Sequence, residues 1–355
     1  MTHPYAGAAQ HRLWRTAVEQ CGEDTDPIVD FPFCISETDR IVAAGSCFAQ
    51  HISGPLRRNG FKFLVTEPGH PILSKEIADQ YNYGRFTARY GNIYTARQLV
   101  QLFRRAYDTF RPVEDVWMGS DLRLIDPFRP QIQPAGFASK QEYELDREQH
   151  FAAVRQAFES MDVFIFTLGL TECWENVEDG AVFPTCPGTI GGQFDPHRHR
   201  FRNHTVADIV GDIDDFLTEL RAVNKDVRLI LTVSPVPLVA TGRDEHVLVA
   251  TTYSKSVLRV AAEMICQQQS NVAYFPSYEI ITGPQSKGQY YDDDLRTVKP
   301  EGVNRVMQLF FRHVGGICQE ITTATETGHI QDLHSSPGNK IAEALCDEMK
   351  LDKGD

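Results

Sequence analysis

The sequence predicts a three-layer α/β domain built on about five parallel strands. Two observations carry this. Short apolar runs of strand length alternate with segments of helical spacing along most of the chain. Polar residues with chemical potential fall just after the carboxyl ends of strands one, three, four and five. In an open parallel sheet, that edge is where ligands bind. The expected organisation is an arm over residues 1–38, the α/β domain with insertions over 39–320, and a polar tail over 321–355.

The arm has little periodicity, and Phe31-Pro32-Phe33 is expected to pack on the domain. Ile41-Val42-Ala43-Ala44 reads as a buried strand, interrupted by Gly45 and Ser46. Phe48, Ile52 and Leu56 then recur every four residues, as on one helix face, until Asn59-Gly60 closes the run. A nucleophilic side chain therefore stands at a sharp strand-to-helix turn. Unpaired N–H groups and positive potential at a helix start favour a thiolate or a developing oxyanion there. The bland alternative for Cys47 is a small buried hydrophobe. Residues 61–65 read as a second strand, and a unit of this length implies a right-handed parallel crossover.

Residues 66–94 are loop-rich and aromatic, and end in Tyr90-Gly91-Asn92-Ile93-Tyr94. Gly91-Asn92 suits a turn, and Thr95 suits the cap of a helix over 95–110. Residues 111–138 read as irregular and 139–160 as a helix. Residues 161–168 are the clearest buried strand and run into Gly169-Leu170-Thr171-Glu172. Glu172 is either a helix-start carboxylate or, at a strand's carboxyl end, part of a site. Residues 175–204 read as a second long loop, carrying His197, His199 and His204. A His-x-His pair can ligate zinc. Only Asp195 accompanies this one, so a solvated basic loop is expected and no metal site. A helix over 205–223 leads to a strand over 227–233, followed by a loop with Asp244, Glu245 and His246. A helix from Ser254 to near Gln267 precedes the fifth strand, 271–275, which ends in Ser277-Tyr278-Glu279. Asp292 to Thr297 precedes Pro300 in the first turn of the last helix. The tail is expected to hold one short helix near residues 341–349 or to stay mobile. The loops 66–94, 111–138 and 175–204 are expected to form a cap.

With 42% hydrophobic and 23% charged residues, the composition is that of an ordinary globular protein. A formal charge of -13 argues against a general nucleic-acid binder and against attachment to anionic membranes. The eight cysteines are scattered without a C-x-x-C pair, which indicates neither a zinc knuckle nor a disulfide scaffold. No run approaches the roughly 18 apolar residues of a membrane span. Residues 1–20 are polar with no apolar signal-like core, so a cytoplasmic location with reduced thiols is expected.

Gly45-Ser46-Cys47-Phe48-Ala49 is the signature of the GSCFA family, which the chain resembles from about residue 32 to about residue 315. That family is in turn similar to the SGNH (GDSL-like) hydrolases. The resemblance implies a flavodoxin-like sheet and a nucleophile in the turn: Cys47 by position, Ser46 as second choice. It also implies a backbone oxyanion donor at Gly91, with Asn92 beside it. The superfamily's Gly-x-Asn-Asp block falls on Gly169 to Glu172, with Thr171 in place of the asparagine. Its Asp-x-x-His falls on Asp294 to Thr297, with threonine in place of the histidine. Threonine is no general base near neutral pH, so His246 or His51 is the expected substitute. His51 lies four residues after Cys47, on its helical face. Of the two, His246 is preferred, because a loop can bring a ring nitrogen over the turn. Tyr278 and Glu279 are further candidate binding residues.

Two functions are expected to compete. One is hydrolysis or transfer of an acyl group, acetyl first, on a carbohydrate or polysaccharide precursor. It needs no cofactor, with acyl-CoA as donor in the transferase version. The other is binding of a carbohydrate or acyl ligand without turnover.

Overall fold

The structure is a computed structural model and describes residues 3–119 and 121–315. The expected tail and its short helix lie outside the described residues. After short helical turns in the arm come β1 (Ile41–Gly45), a 3-10 turn (Cys47–His51), α1 (Ser53–Arg58), α2 (Lys75–Gln80) and α3 (Ala96–Ala106). A hairpin of β2 (Trp117–Met118) and β3 (Leu124–Ile125) precedes α4 (Lys140–Ser160). β4 (Val163–Leu168), β5 (Glu172–Asn176), β6 (Val182–Phe183), β7 (His199–Asn203) and α5 (Val206–Val223) follow. The described chain closes with β8 (Arg228–Val233), α6 (Val247–Gln268), β9 (Val272–Tyr274), α7 (Ser277–Thr282) and α8 (Pro300–His313).

The central sheet has the order β1-β4-β8-β9, and every pair is parallel. Its strands are apolar on both sides because helices cover both faces. Val42, Ala44, Phe164, Phe166, Leu229 and Leu231 face the core that α3, α4, α5 and α6 complete. Ile41, Ala43, Val163, Ile165 and Ile230 face the core made with Phe48, Leu56, α7 and α8. The period-two alternation of a strand thus sorts one run into two cores. Ile28 and Ile35 of the arm join the second core, with Phe31 and Phe33 packed against it.

The expected second strand, residues 61–65, does not form a ladder, so the central sheet has four strands. Residues 61–65 contribute one parallel bridge, Ile41 to Phe63, through Ile41 N–H to the Lys62 carbonyl (2.9 Å) and Leu64 N–H to the Ile41 carbonyl (2.8 Å). By Thr66 the backbone has turned away to bond Thr87 (2.8 Å), so the ladder stops.

The expected loop 175–204 is largely ordered as an antiparallel sheet, β6-β5-β7. The charged alternation His199-Arg200-Phe201-Arg202-Asn203 is a strand with His199 buried, not a solvated loop. Residues 111–138 hold the β2–β3 hairpin, and the 66–94 stretch holds α2. The segment after the turn starts as a 3-10 helix and becomes α-helical only at Ser53. α6 starts at Val247, seven residues before the expected Ser254. Among the described residues no helix is long and apolar enough to cross a membrane.

Candidate active site

The site begins where β1 ends. Gly45 has φ +141, and a Cβ there would stand 2.4 Å from the Thr167 carbonyl oxygen. No other residue fits this conformation and this approach. Ser46 N–H donates to the Thr167 carbonyl (3.3 Å), and Ile93 N–H donates to the Gly45 carbonyl (2.8 Å). The 90–94 segment is therefore laid against the turn. Ser46 and Cys47 are each 3% exposed, and Cys47 opens the 3-10 helix. On the other side of Ser46 lies Gly169, where a Cβ would come within 2.8 Å of the Ser46 Cβ. The N–H groups of Gly169 and Leu170 both donate to the Tyr94 carbonyl (3.1 and 2.9 Å). Three chain segments distant in sequence thus meet at Gly45-Ser46-Cys47.

Buried hydroxyls are normally hydrogen-bonded. Ser46 Oγ, Thr167 Oγ1 and Thr171 Oγ1 are buried with no partner among the described residues. All three lie at the carboxyl ends of β1 and β4. Beside them stands Lys255, 1% exposed, whose Nζ donates to the Gly169 carbonyl at 2.7 Å. Its neighbour Ser254 accepts the Thr171 N–H (3.2 Å). The sequence reading missed Lys255. The signal was there: it lies three residues before Leu258 on the stripe Ala250, Ser254, Leu258, Ala261, Ala262 and Ile265, all of which are buried. A lysine in the apolar phase of a helix has a reason to be there.

Asn92 Oδ1 accepts from Gln50 Nε2 (2.7 Å), and Arg85 donates to Gln50 Oε1 (3.3 Å). This ties the Gly91-Asn92 turn to the helix that follows Cys47. His51 packs its ring at 6.1 Å from that of Phe48. Burial, and then the nearby Arg85 charge, push the His51 pKa below the usual histidine value.

Other candidates have different employment. His246 is the exposed N-cap of α6, and its Nδ1 accepts the Leu248 N–H (3.1 Å). Asp294 accepts the Arg296 N–H (2.9 Å), the Thr297 N–H (2.8 Å) and the Thr297 hydroxyl (2.6 Å), closing a turn on itself. Burial raises the Asp294 pKa, but these bonds outweigh it and the net shift is downward. The loop itself is docked on the segment after β8, through Tyr291 to the Pro235 carbonyl (2.7 Å) and Arg296 to the Pro237 carbonyl (3.2 Å). Glu172 holds the Thr241 hydroxyl (2.7 Å) and Gly242 N–H (3.1 Å), and burial pushes its pKa up. Glu279 pairs with Arg259 (3.0 Å) and accepts from the Tyr274 hydroxyl (2.8 Å), while Tyr278 packs against the first core. His199 is engaged at both nitrogens, with Glu114 Oε2 (2.9 Å) and the Asp195 N–H (3.1 Å). Among the described residues no cluster of three or more His, Cys, Asp or Glu has the arrangement of a metal site.

Fold and turn together define an α/β protein with a candidate nucleophile at the carboxyl edge of its parallel sheet. The chain belongs to the GSCFA family, whose model matches residues 40–310. That span runs from the residue before β1 to Phe310 in α8 and so takes in the whole central sheet. No curated protein matches the chain.

Proposed function

We propose that this protein is an SGNH-like acyl-ester hydrolase or O-acyltransferase, with acetyl as the expected acyl group and a carbohydrate or polysaccharide precursor as substrate. The observation that carries the reading is the Gly45-Ser46-Cys47 turn, pressed between Thr167 and Gly169, where the hydroxyls of Ser46, Thr167 and Thr171 are buried with no partner among the described residues. A pure binder has no need of a nucleophile at a turn that only glycine can form. The sheet order also fits. With the Phe63 bridge outside β1, the strands follow the flavodoxin-like order 2-1-3-4-5 that the superfamily resemblance implies.

In this reading the Cys47 sulfur attacks the acyl carbonyl carbon, with Ser46 as the alternative nucleophile. The base in this reading is His51, at the end of the 3-10 turn that Cys47 opens, which takes the thiol proton. The Lys255 ammonium, behind Gly169, and the N–H groups at the start of the 3-10 helix favour the negative charge that develops. The alkoxide leaves with the proton, and an acyl-thioester remains on Cys47. Water or a sugar hydroxyl then attacks the thioester, loses its proton to His51 and restores the thiol. A cytoplasmic transferase would draw the acyl group from acyl-CoA.

A second reading, binding without turnover, is favoured by one observation: the Asp294 carboxylate is spent on Arg296 and Thr297, and among the described residues it orients no histidine. One experiment separates the two. The rate of iodoacetamide labelling against pH, with Cys47→Ala as control, is measured beside turnover of p-nitrophenyl acetate. The enzyme reading expects Cys47-specific labelling with a midpoint below the usual thiol value of about 8.5, and ester turnover lost in Cys47→Ala. Labelling of Cys47 no faster than of other cysteines, with p-nitrophenyl acetate hydrolysed no faster than the uncatalysed background, leaves the binding reading.

A further inference from the structure

A different arginine marks a second site. Arg105 on α3 is 7% exposed, and its guanidinium stands 3.6 Å over the Phe128 ring and 5.1 Å from the Phe151 ring. Among the described residues it has neither a hydrogen-bond acceptor nor an ion-pair partner for its side chain. Its buried neighbours are provided for. Arg129 bonds Asp126 (2.8 Å), Asp146 (2.8 Å) and the Arg89 carbonyl (3.3 Å). Arg89 bonds Asp146 (2.8 Å) and the carbonyls of Tyr81 (3.0 Å) and Ile132 (3.1 Å). Burial lowers the Arg105 pKa only to about 10, so it stays charged at neutral pH.

Arg105 lines a groove of about 490 Å³ between α3, α4 and the 108–115 loop. That volume suits a small organic ligand. Phe110, Pro112 and Phe151 give it an apolar wall. The other cations of the groove are committed: Arg111 to Asp108, Arg147 to Asp115, and Arg155 to the Ala106 carbonyl. Glu144 pairs with Lys140 (3.5 Å) and Glu148 lies exposed on the rim. Stacking on a phenyl ring occupies the face of a guanidinium and leaves its in-plane N–H fork, which matches an oxyanion.

We propose that this groove binds a small organic oxyanion, a phosphate or carboxylate ester-sized group joined to an apolar or aromatic body, with Arg105 as its anchor. The site does not depend on the acyl-transfer reading, and its test reads binding rather than turnover. Arg105 also lines a cavity of about 20 Å³ whose wall includes Asn92.

The probes are phenyl phosphate and benzoate, with phenol as the neutral control. Thermal unfolding and titration calorimetry are run on the full chain and on Arg105→Gln. The proposal expects phenyl phosphate or benzoate to raise the melting temperature and to bind at least tenfold more weakly to Arg105→Gln, with phenol inactive. The arm that binds distinguishes phosphate from carboxylate chemistry. Should Arg105→Gln fail to fold, the Arg105 Nε–H resonance of the natural protein reports directly and must move on titration. No binding of either anion, equal binding by Arg105→Gln, or an Arg105 resonance that stays fixed while the probe binds would overturn the assignment.

Discussion

Gly45 and Lys255 show what single residues contribute to the turn. At Gly45 both the backbone angle and the space exclude a side chain, since a Cβ would sit 2.4 Å from the Thr167 carbonyl oxygen. Gly45→Ala is expected to destabilise the protein by about 3 kcal/mol, measured by urea unfolding, because strain and collision add. Lys255→Met leaves the Gly169 carbonyl without its bond, expected to cost about 1–3 kcal/mol. It is also expected to move the midpoint of Cys47 alkylation to higher pH, because a nearby cation lowers a thiol pKa. A merely structural lysine would change unfolding and leave that midpoint in place. The two residues also differ in legibility. Gly45, Ser46 and Cys47 are contiguous, and a strand, two small residues and a helical pattern suffice to find them. Lys255 is 208 residues from Cys47 in the chain. Only the fold brings it behind Gly169, and its sole local trace is a cation on an apolar helical stripe.

At the scale of elements, the two candidate histidines stand at different helix starts, His51 in the 3-10 turn after Cys47 and His246 before α6. His246 caps α6, and its Nδ1 accepts the Leu248 N–H. His246→Asn retains a capping oxygen and is expected to leave ester turnover within about twofold. His51→Gln is expected to lower kcat by about 10²–10⁴, the ordinary contribution of a general base. A kinetic comparison of the two variants under one set of conditions checks both expectations. The major elements were readable from periodicity: β1, β4, β8, β9 and α3 to α5 lie near where their apolar patterns put them. What escaped was pairing that depends on a partner. Residues 61–65 have a strand's composition, but Thr66 and Glu67 bond Thr87 and end the ladder after one bridge. β7 reads as basic and solvated until β5 lies beside it and Glu175 takes Arg200. α6 begins early because His246 can cap it, a role that residue fills less often than serine or aspartate.

The whole molecule adds a pH dependence that belongs to no single element. His204 on the chain after β7 is buried, with Nε2 3.3 Å from Cys173 Sγ, and burial and then the Arg97 charge lower its pKa to about 4. Unfolded, the same ring titrates near its ordinary value of about 6.5. Between those values the unfolded chain binds the extra proton, so this group's stability is present above about 6.5 and is lost as pH falls toward 4. Asp212 acts in the opposite sense. Burial raises its pKa to about 6, so its contribution is greatest at low pH and is lost as pH rises through 6. The prediction is therefore a difference. His204→Gln is expected to lose stability less steeply than the natural protein between pH 6.5 and 4, by up to about 1.4 kcal/mol per pH unit. Equal slopes in urea unfolding across that window would show that His204 does not titrate as a buried neutral ring.

The central claim is that Gly45-Ser46-Cys47 carries the nucleophile. Mass spectrometry of protein quenched during turnover of p-nitrophenyl acetate tests it most directly. The account predicts one acetyl group on the peptide that contains Cys47, removed by hydroxylamine as a thioester is and absent from Cys47→Ala. An acetyl group on Ser46 would keep the turn and exchange the atom. Turnover with no acetyl on either residue, and unchanged in both alanine variants, would contradict the account.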